Sequence, residues 1–207
     1  KHSGAMCCDE QTSIGEVRKM MSSDKIQKIV PLKIRDNLKF EAVYGGTGTT
    51  AIGDEIRRGI KIRLNENFDK SLVRSKESAE IFVSMNDLFQ IAYEEMMKVK
   101  HRHIDDIVSG YFNFSTADYM QGYYKDFKDE KIEISQKDLK DKIFDLINWK
   151  NADEVDSIFL NAAIIAGFDG SGEFRICKLS MKTEMLLQIA DSVFETVGSG
   201  SDSTRTR

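Results

Sequence analysis

The sequence predicts an α+β domain, and three observations predict it. Short apolar runs with strand character lie towards both ends, Ala5-Met6-Cys7-Cys8 and Ile158 to Phe168. Between them are two segments with apolar residues at helical spacing. Near the C-terminal end, the turn Asp169-Gly170-Ser171-Gly172 separates two apolar runs, the strongest hairpin signal in the chain.

The elements follow in order. Ala5 to Cys8 suits a buried strand ending at Asp9. Ile26 to Pro31 and Lys39 to Tyr44 read as two more strands, joined by a polar turn at Arg35-Asp36-Asn37. Pro31 is the only proline, and it belongs at a strand end or edge because it cannot donate to a ladder. Gly45 to Thr50 is a glycine-rich turn. A helix follows it, with Ile52, Ile56, Ile60 and Leu64 on one face and Thr49 or Thr50 as its cap. Ser75 to Lys100 reads as a second, longer helix. From His101 to Asp156 aromatic residues crowd a polar background, and Lys137 to Trp149 has helical spacing. Residues 101–156 are therefore expected to be an inserted, mostly helical subregion within a single domain of residues 1–207. Ile158 to Phe168 resumes strand character, and Glu173 to Leu179 is its return strand.

Composition narrows the function classes. Hydrophobic residues are 41% and charged residues 31%, ordinary for a globular chain of 207 residues. The net charge of -4 is spread along the sequence, so no nucleic-acid surface is expected. No apolar run approaches the ~20 residues of a membrane span, and no signal peptide is visible. Cys7, Cys8 and Cys177 are odd in number, two of them adjacent, which argues against a disulfide framework and for a reducing cytoplasm. Position 1 is Lys, and the chain stops at Thr206-Arg207 without an element after its last glycine turn, so a longer protein, cut at both ends here, is expected.

The order of the motifs carries the functional expectation. The pieces are Ser3-Gly4-Ala5-Met6-Cys7-Cys8-Asp9, Asp24-Lys25-Ile26-Gln27-Lys28-Ile29, Tyr44-Gly45-Gly46-Thr47-Gly48, Ile164 to Gly170, and Gly198-Ser199-Gly200-Ser201. In this order they resemble the β-type subunits of the proteasome and their bacterial relatives, which are N-terminal-nucleophile hydrolases. The resemblance covers both ends of the chain and not its middle. It implies an αββα sandwich, two stacked antiparallel sheets flanked by helices. It also implies hydrolysis or transfer of amide bonds. In that family the first residue of the mature chain attacks, and its own α-amine is the base, an amine of pKa about 8 being able to take a proton near neutral pH. Asp9 matches the family's buried carboxylate, and Lys25 its catalytic lysine. Gly45 matches the glycine whose backbone N–H stabilises the oxyanion, and Ser199 a serine used near the amino terminus. Taken singly, Asp9 can end a strand, Lys25 can be a surface lysine with Lys28 as its competitor, Gly45 can serve a tight turn, and Ser199 can belong to a linker.

The nucleophile itself would lie eight residues before Lys1, outside this sequence, and residues 101–156 have no counterpart in ordinary proteasome subunits. A non-catalytic scaffold or assembly subunit of the same fold is thus the competing expectation. The resemblance implies no metal and no organic cofactor. It implies a peptide or protein substrate and a homo-oligomer, and it is compatible with a partner ATPase that feeds substrate. Two other signals are weaker. The glycine turn lacks the Gly-Lys-Ser/Thr ending of a phosphate loop, which leaves a small-molecule sensor as a third reading. His101 and His103, beside Asp105 and Asp106, lack further ligands at metal-binding spacing.

Overall fold

The computed structural model describes residue 6, residues 11–14, 18–21, 25–75, 84–134, 141, 161–181 and 188–189. These residues form an α+β fold. Its centre is an antiparallel sheet in the order β3 (Ile26–Lys28), β4 (Glu41–Thr47), β7 (Ala162–Phe168), β8 (Phe174–Ser180) and the two-residue β9 (Gln188–Ile189). Two small antiparallel pairs stand apart from it in the pairing: β1 (Gln11–Ile14) with β2 (Arg18–Met21), and β5 (Tyr123–Lys125) with β6 (Lys131–Glu133). Among the described residues no second sheet stacks on the main one.

The helices begin with α1 (Leu32–Leu38), a correction to the turn expected at Arg35-Asp36-Asn37. Pro31 stands just before it, and the carbonyl of Pro31 accepts from the N–H groups of Ile34 and Arg35. Proline suits that place because its fixed φ is pre-set and no partner is needed for a missing N–H. Lys39, in the left-handed region at φ 51, ends the helix. Next comes α2 (Thr50–Ser75), which is longer than its expected apolar stripe. Ile52, Ile56, Ile60 and Leu64 are all buried, and Phe68 extends the row. Successive steps of four keep the row on one face. Burial of each side chain contributes about 1.5–3 kcal/mol, which fixes that face inward.

The second long helix, α3 (Met85–Phe112), starts ten residues later than expected, at a capping box. The Ser84 hydroxyl accepts from the Asp87 N–H, and the Asp87 carboxylate accepts from the Ser84 N–H. Its first half packs Leu88, Phe89, Ala92, Met96 and Val99 into the main core with α2 and one face of the sheet. Those sheet residues are Ala42, Tyr44, Ala163, Ile165, Cys177 and Leu179, alternate positions on three neighbouring strands.

Helix α3 runs without a break through His101, and its second half serves another cluster. Ile104 and Val108 pack with Phe114 and Ile134, against Phe112, Tyr119 and Tyr124. Part of the aromatic group from Tyr111 to Phe127 thus forms a small core, while Tyr111 and Phe127 are exposed. The short α4 (Thr116–Gln121) is tied to α3 by Asp105, whose carboxylate accepts from the Thr116 N–H at 2.7 Å and hydroxyl at 2.8 Å. The helix expected over Lys137 to Trp149 lies outside the described residues except Asp141, which is helical. The strand expected at Ala5 to Cys8 lies outside them except Met6.

The hairpin expected at Asp169 forms as read. Asp169 is 6% exposed and accepts from the Ser171 N–H at 3.0 Å, the Ser171 hydroxyl at 2.5 Å and the Met85 N–H at 3.1 Å. One carboxylate therefore closes the β7–β8 turn and holds the start of α3. This contact places the two elements that flank the core in a fixed relation.

Candidate functional site

The expected site residues are Asp9, Lys25, Gly45 and Ser199. Asp9 and Ser199 lie outside the described residues. Lys25 and Gly45 are brought close by the β3–β4 register, in which Ile26 pairs with Gly45, Gln27 with Tyr44 and Lys28 with Val43. Lys25 sits half-buried in the bend that opens β3, one residue before the ladder begins. The same register carried one step on sets it level with Gly46.

Lys28, the competing lysine, is at the other end of the strand. It forms an exposed ion pair with Glu41 at 2.8 Å, whose hydrogen bond holds the Glu41 carboxyl below its ordinary range. The lysine at the Gly45–Gly46 end is Lys25.

Backbone directions along β4 follow from one bond. The Ile29 N–H donates to the Ala42 carbonyl at 3.1 Å, on the β3–β4 register. In an antiparallel ladder successive residues address alternate neighbours. Ala42, Tyr44 and Gly46 therefore turn their N–H and C=O groups towards β3. Val43, Gly45 and Thr47 turn theirs towards β7, where Gly45 pairs with Ile164. The amide facing the lysine's strand is that of Gly46, a distinction that sequence spacing alone does not carry.

The two faces of β4 differ at this end. On the face away from the helices, a Cβ on Gly45 would stand 3.0 Å from the Met6 sulfur and 3.7 Å from Ile26 Cγ1. Met6, three residues before Asp9, thus lies over Gly45. This second face is mixed: Ile26, Val43, Ile164, Ala166 and Ile176 lie on it, with Ala166 and Ile176 buried, and so do Lys28, Glu41 and Lys178. On the helix face, Tyr44 is buried, and the Arg57 guanidinium lies 5.9 Å from its ring centroid. Burial pushes the Tyr44 hydroxyl up to about 12, against the opposing charge of Arg57. Just beyond the strand, Gly48 has φ +107, and a Cβ there would meet the Asn161 backbone at 2.8 Å. Only glycine allows the chain to turn into α2 at this point.

Cys177, the one described cysteine, is buried in the core, and burial pushes its thiol up, so it is not poised as a nucleophile. Around His103, the Glu55 carboxylate is 3.8 Å from its Nε2 and also pairs with Arg102. Among the described residues no group of three or more His, Cys, Asp or Glu side chains is arranged to hold a metal ion. Among them, too, no helix is long and apolar enough to cross a membrane.

Comparison with protein-family models, curated proteins and solved structures finds no match.

Proposed function

We propose that this chain is a proteasome-like N-terminal-nucleophile hydrolase domain, with its main sheet as one layer of an αββα sandwich. The observation that carries the reading is the β3–β4 register, which sets Lys25 level with Gly46 at the end of β4, next to the Gly45 over which Met6 lies. The central strand also supports it, because Ile164-Ile165-Ala166 reads as a strand with apolar residues on both sides, suited to a further layer.

In this reading the hydroxyl or thiol of an N-terminal residue ahead of Lys1 attacks an amide carbonyl. Its α-amine takes the proton and passes it to the leaving amine, and water then hydrolyses the ester or thioester. The Lys25 ammonium lowers the proton affinity of the amine and of the attacking atom, and Asp9 holds that ammonium charged and oriented. The oxyanion is met by a backbone N–H from the Gly45–Gly46 pair, with Gly46 the one directed towards the lysine's strand. Ser199 stands near the amino terminus. No metal or organic cofactor takes part, the substrate is a peptide or protein, and the working form is a homo-oligomer, with an ATPase as a compatible feeder.

The test is turnover of a fluorogenic peptide amide by the chain carrying its upstream segment. Asp9→Asn and Lys25→Ala should each lower kcat about a hundredfold or more with little loss of stability, whereas Lys28→Ala should leave it unchanged. Wild-type rates in either of the first two variants would overturn the assignment. No turnover at all, with assembly intact, would favour the non-catalytic scaffold.

A further inference from the structure

Glu55, Arg102 and His103 meet where α3 leaves the main core for the small aromatic cluster, Val99 packing in the first and Ile104 in the second. Glu55, on α2, accepts from the Arg102 Nη2 at 2.6 Å and pairs with its Nη1 as well, a two-pronged contact. His103 is half-buried, and its Nε2 stands 3.4 Å from the Arg102 Nη2 and 3.8 Å from the Glu55 Oε2. Asp106, one turn further along α3 than His103, is 3.9 Å from the Arg102 Nε. Lys100 lies one turn back. Glu55 from α2, with Arg102, Asp106 and Lys100 from α3, are thus the charged groups disposed around the ring. A guanidinium has donors only. Its Nη2 meets the His103 Nε2 as a hydrogen bond only while that nitrogen keeps its lone pair, so the neutral ring holds its proton on Nδ1. A second proton must then go to Nε2. That nitrogen becomes a donor, repels the guanidinium and attracts the carboxylate beside it.

We propose that protonation of His103 exchanges the partners in this cluster: His103 takes the Glu55 carboxylate, and Arg102 turns to Asp106. Arg102 has that second acid within reach through a different nitrogen, Nε in place of the two Nη atoms, so its charge stays paired in both arrangements. Histidine ordinarily changes charge between pH 5 and 8, which makes the exchange a pH-sensitive joint. The tie from α2 moves from residue 102 to residue 103, ~100° further round α3 at 3.6 residues per turn. It moves at the point where α3 passes from one core to the other, so the small cluster is held to α2 differently in the two states. The proposal stands apart from the hydrolase reading, since none of these residues belongs to the proposed catalytic set.

The experiment is nuclear magnetic resonance of the full chain labelled with nitrogen-15 and carbon-13, with His103 and Arg102 assigned from His103→Gln and Arg102→Lys. At pH 8 the His103 ring should be the Nδ1–H tautomer, and Arg102 should show separate Nη1 and Nη2 signals, because the two-pronged contact hinders rotation of the guanidinium. At pH 5 the two Nη signals should merge. The Arg102 Nε–H should there gain severalfold protection from hydrogen exchange relative to exposed arginines at the same pH, a gain that Asp106→Asn removes. In His103→Gln the Nη signals should stay separate at both pH values. Thermal unfolding of each variant reports its fold, and the tautomer and the merging are both read in the wild-type chain. An Nε2–H ring at pH 8, Nη signals that stay separate in the wild type at pH 5, or equal merging in folded His103→Gln would each overturn the proposal.

Discussion

Replacing Asp169 by alanine removes one carboxylate that serves two elements at once. Three hydrogen bonds to a charged acceptor are lost, from the Met85 N–H, the Ser171 N–H and the Ser171 hydroxyl. Ser171 is exposed, so water replaces much of what its two donors lose. Met85 is fully buried, and its N–H at the start of α3 is left without that partner. A charged hydrogen bond at a buried donor is worth about 1.5–3 kcal/mol, so the whole substitution should cost about 3 kcal/mol. For a domain of this size that lowers Tm by about 6–12 °C. Urea unfolding followed by circular dichroism measures it, and a loss below about 1 kcal/mol would refute the tether. The pH dependence gives an independent check. Burial pushes the Asp169 carboxyl up, but hydrogen bonds from Ser171 and Met85 and the charge of Arg175 outweigh it and leave the pKa below its ordinary 3.8. A depressed carboxyl contributes stability above the unfolded value, and that contribution fades as pH falls through the folded one. The gap between wild type and Asp169→Ala should therefore shrink below pH 3.8; a gap that widens there would contradict the assignment.

Four further outcomes are expected. Tyr44, raised by burial from 10.0 to about 12, stabilises the fold below pH 10 and loses that contribution as pH rises through 12. The loss is about 3 kcal/mol and should be absent in Tyr44→Phe, as read by urea unfolding across that range. Gly167→Ala would drive a Cβ into the Glu41 carbonyl and to 2.7 Å from Ala42 Cα, backbone that cannot step aside, and should cost about 2–3 kcal/mol in the same assay. Phe127, 93% exposed at the β5–β6 turn, should accept serine within about 0.5 kcal/mol. Asp126→Ala should cost about 1 kcal/mol, because its carboxylate accepts from the Lys128 N–H at 2.8 Å and the Glu130 N–H at 2.9 Å.

Long periodic segments were the legible part of this fold. The row from Ile52 to Leu64 and the hairpin around Asp169 both declare themselves, one by steps of four and the other by turn residues between apolar runs. Helix α1 did not, since seven residues with only Ile34 buried carry too little periodicity to outweigh the polar Arg35-Asp36-Asn37. The start of α3 was written in the sequence as Ser84 and Asp87, three apart, but the longer helix read from Ser75 ran across it. The β1–β2 hairpin offered only two four-residue strands and one glycine between them. At the candidate site, motif order pointed to Lys25 and Gly45, and the register sets Lys25 level with the next residue, Gly46. The direction of each amide depends on ladder parity, which changes with a single-residue slip and leaves no mark on composition.

The central claim is that a nucleophile lies ahead of Lys1 and works with Lys25. Intact mass and N-terminal sequence of the purified mature protein test it most directly. A free Thr, Ser or Cys eight residues before Lys1 is the expected result. A mature chain that begins at Lys1, or one whose amino group is blocked, would contradict it.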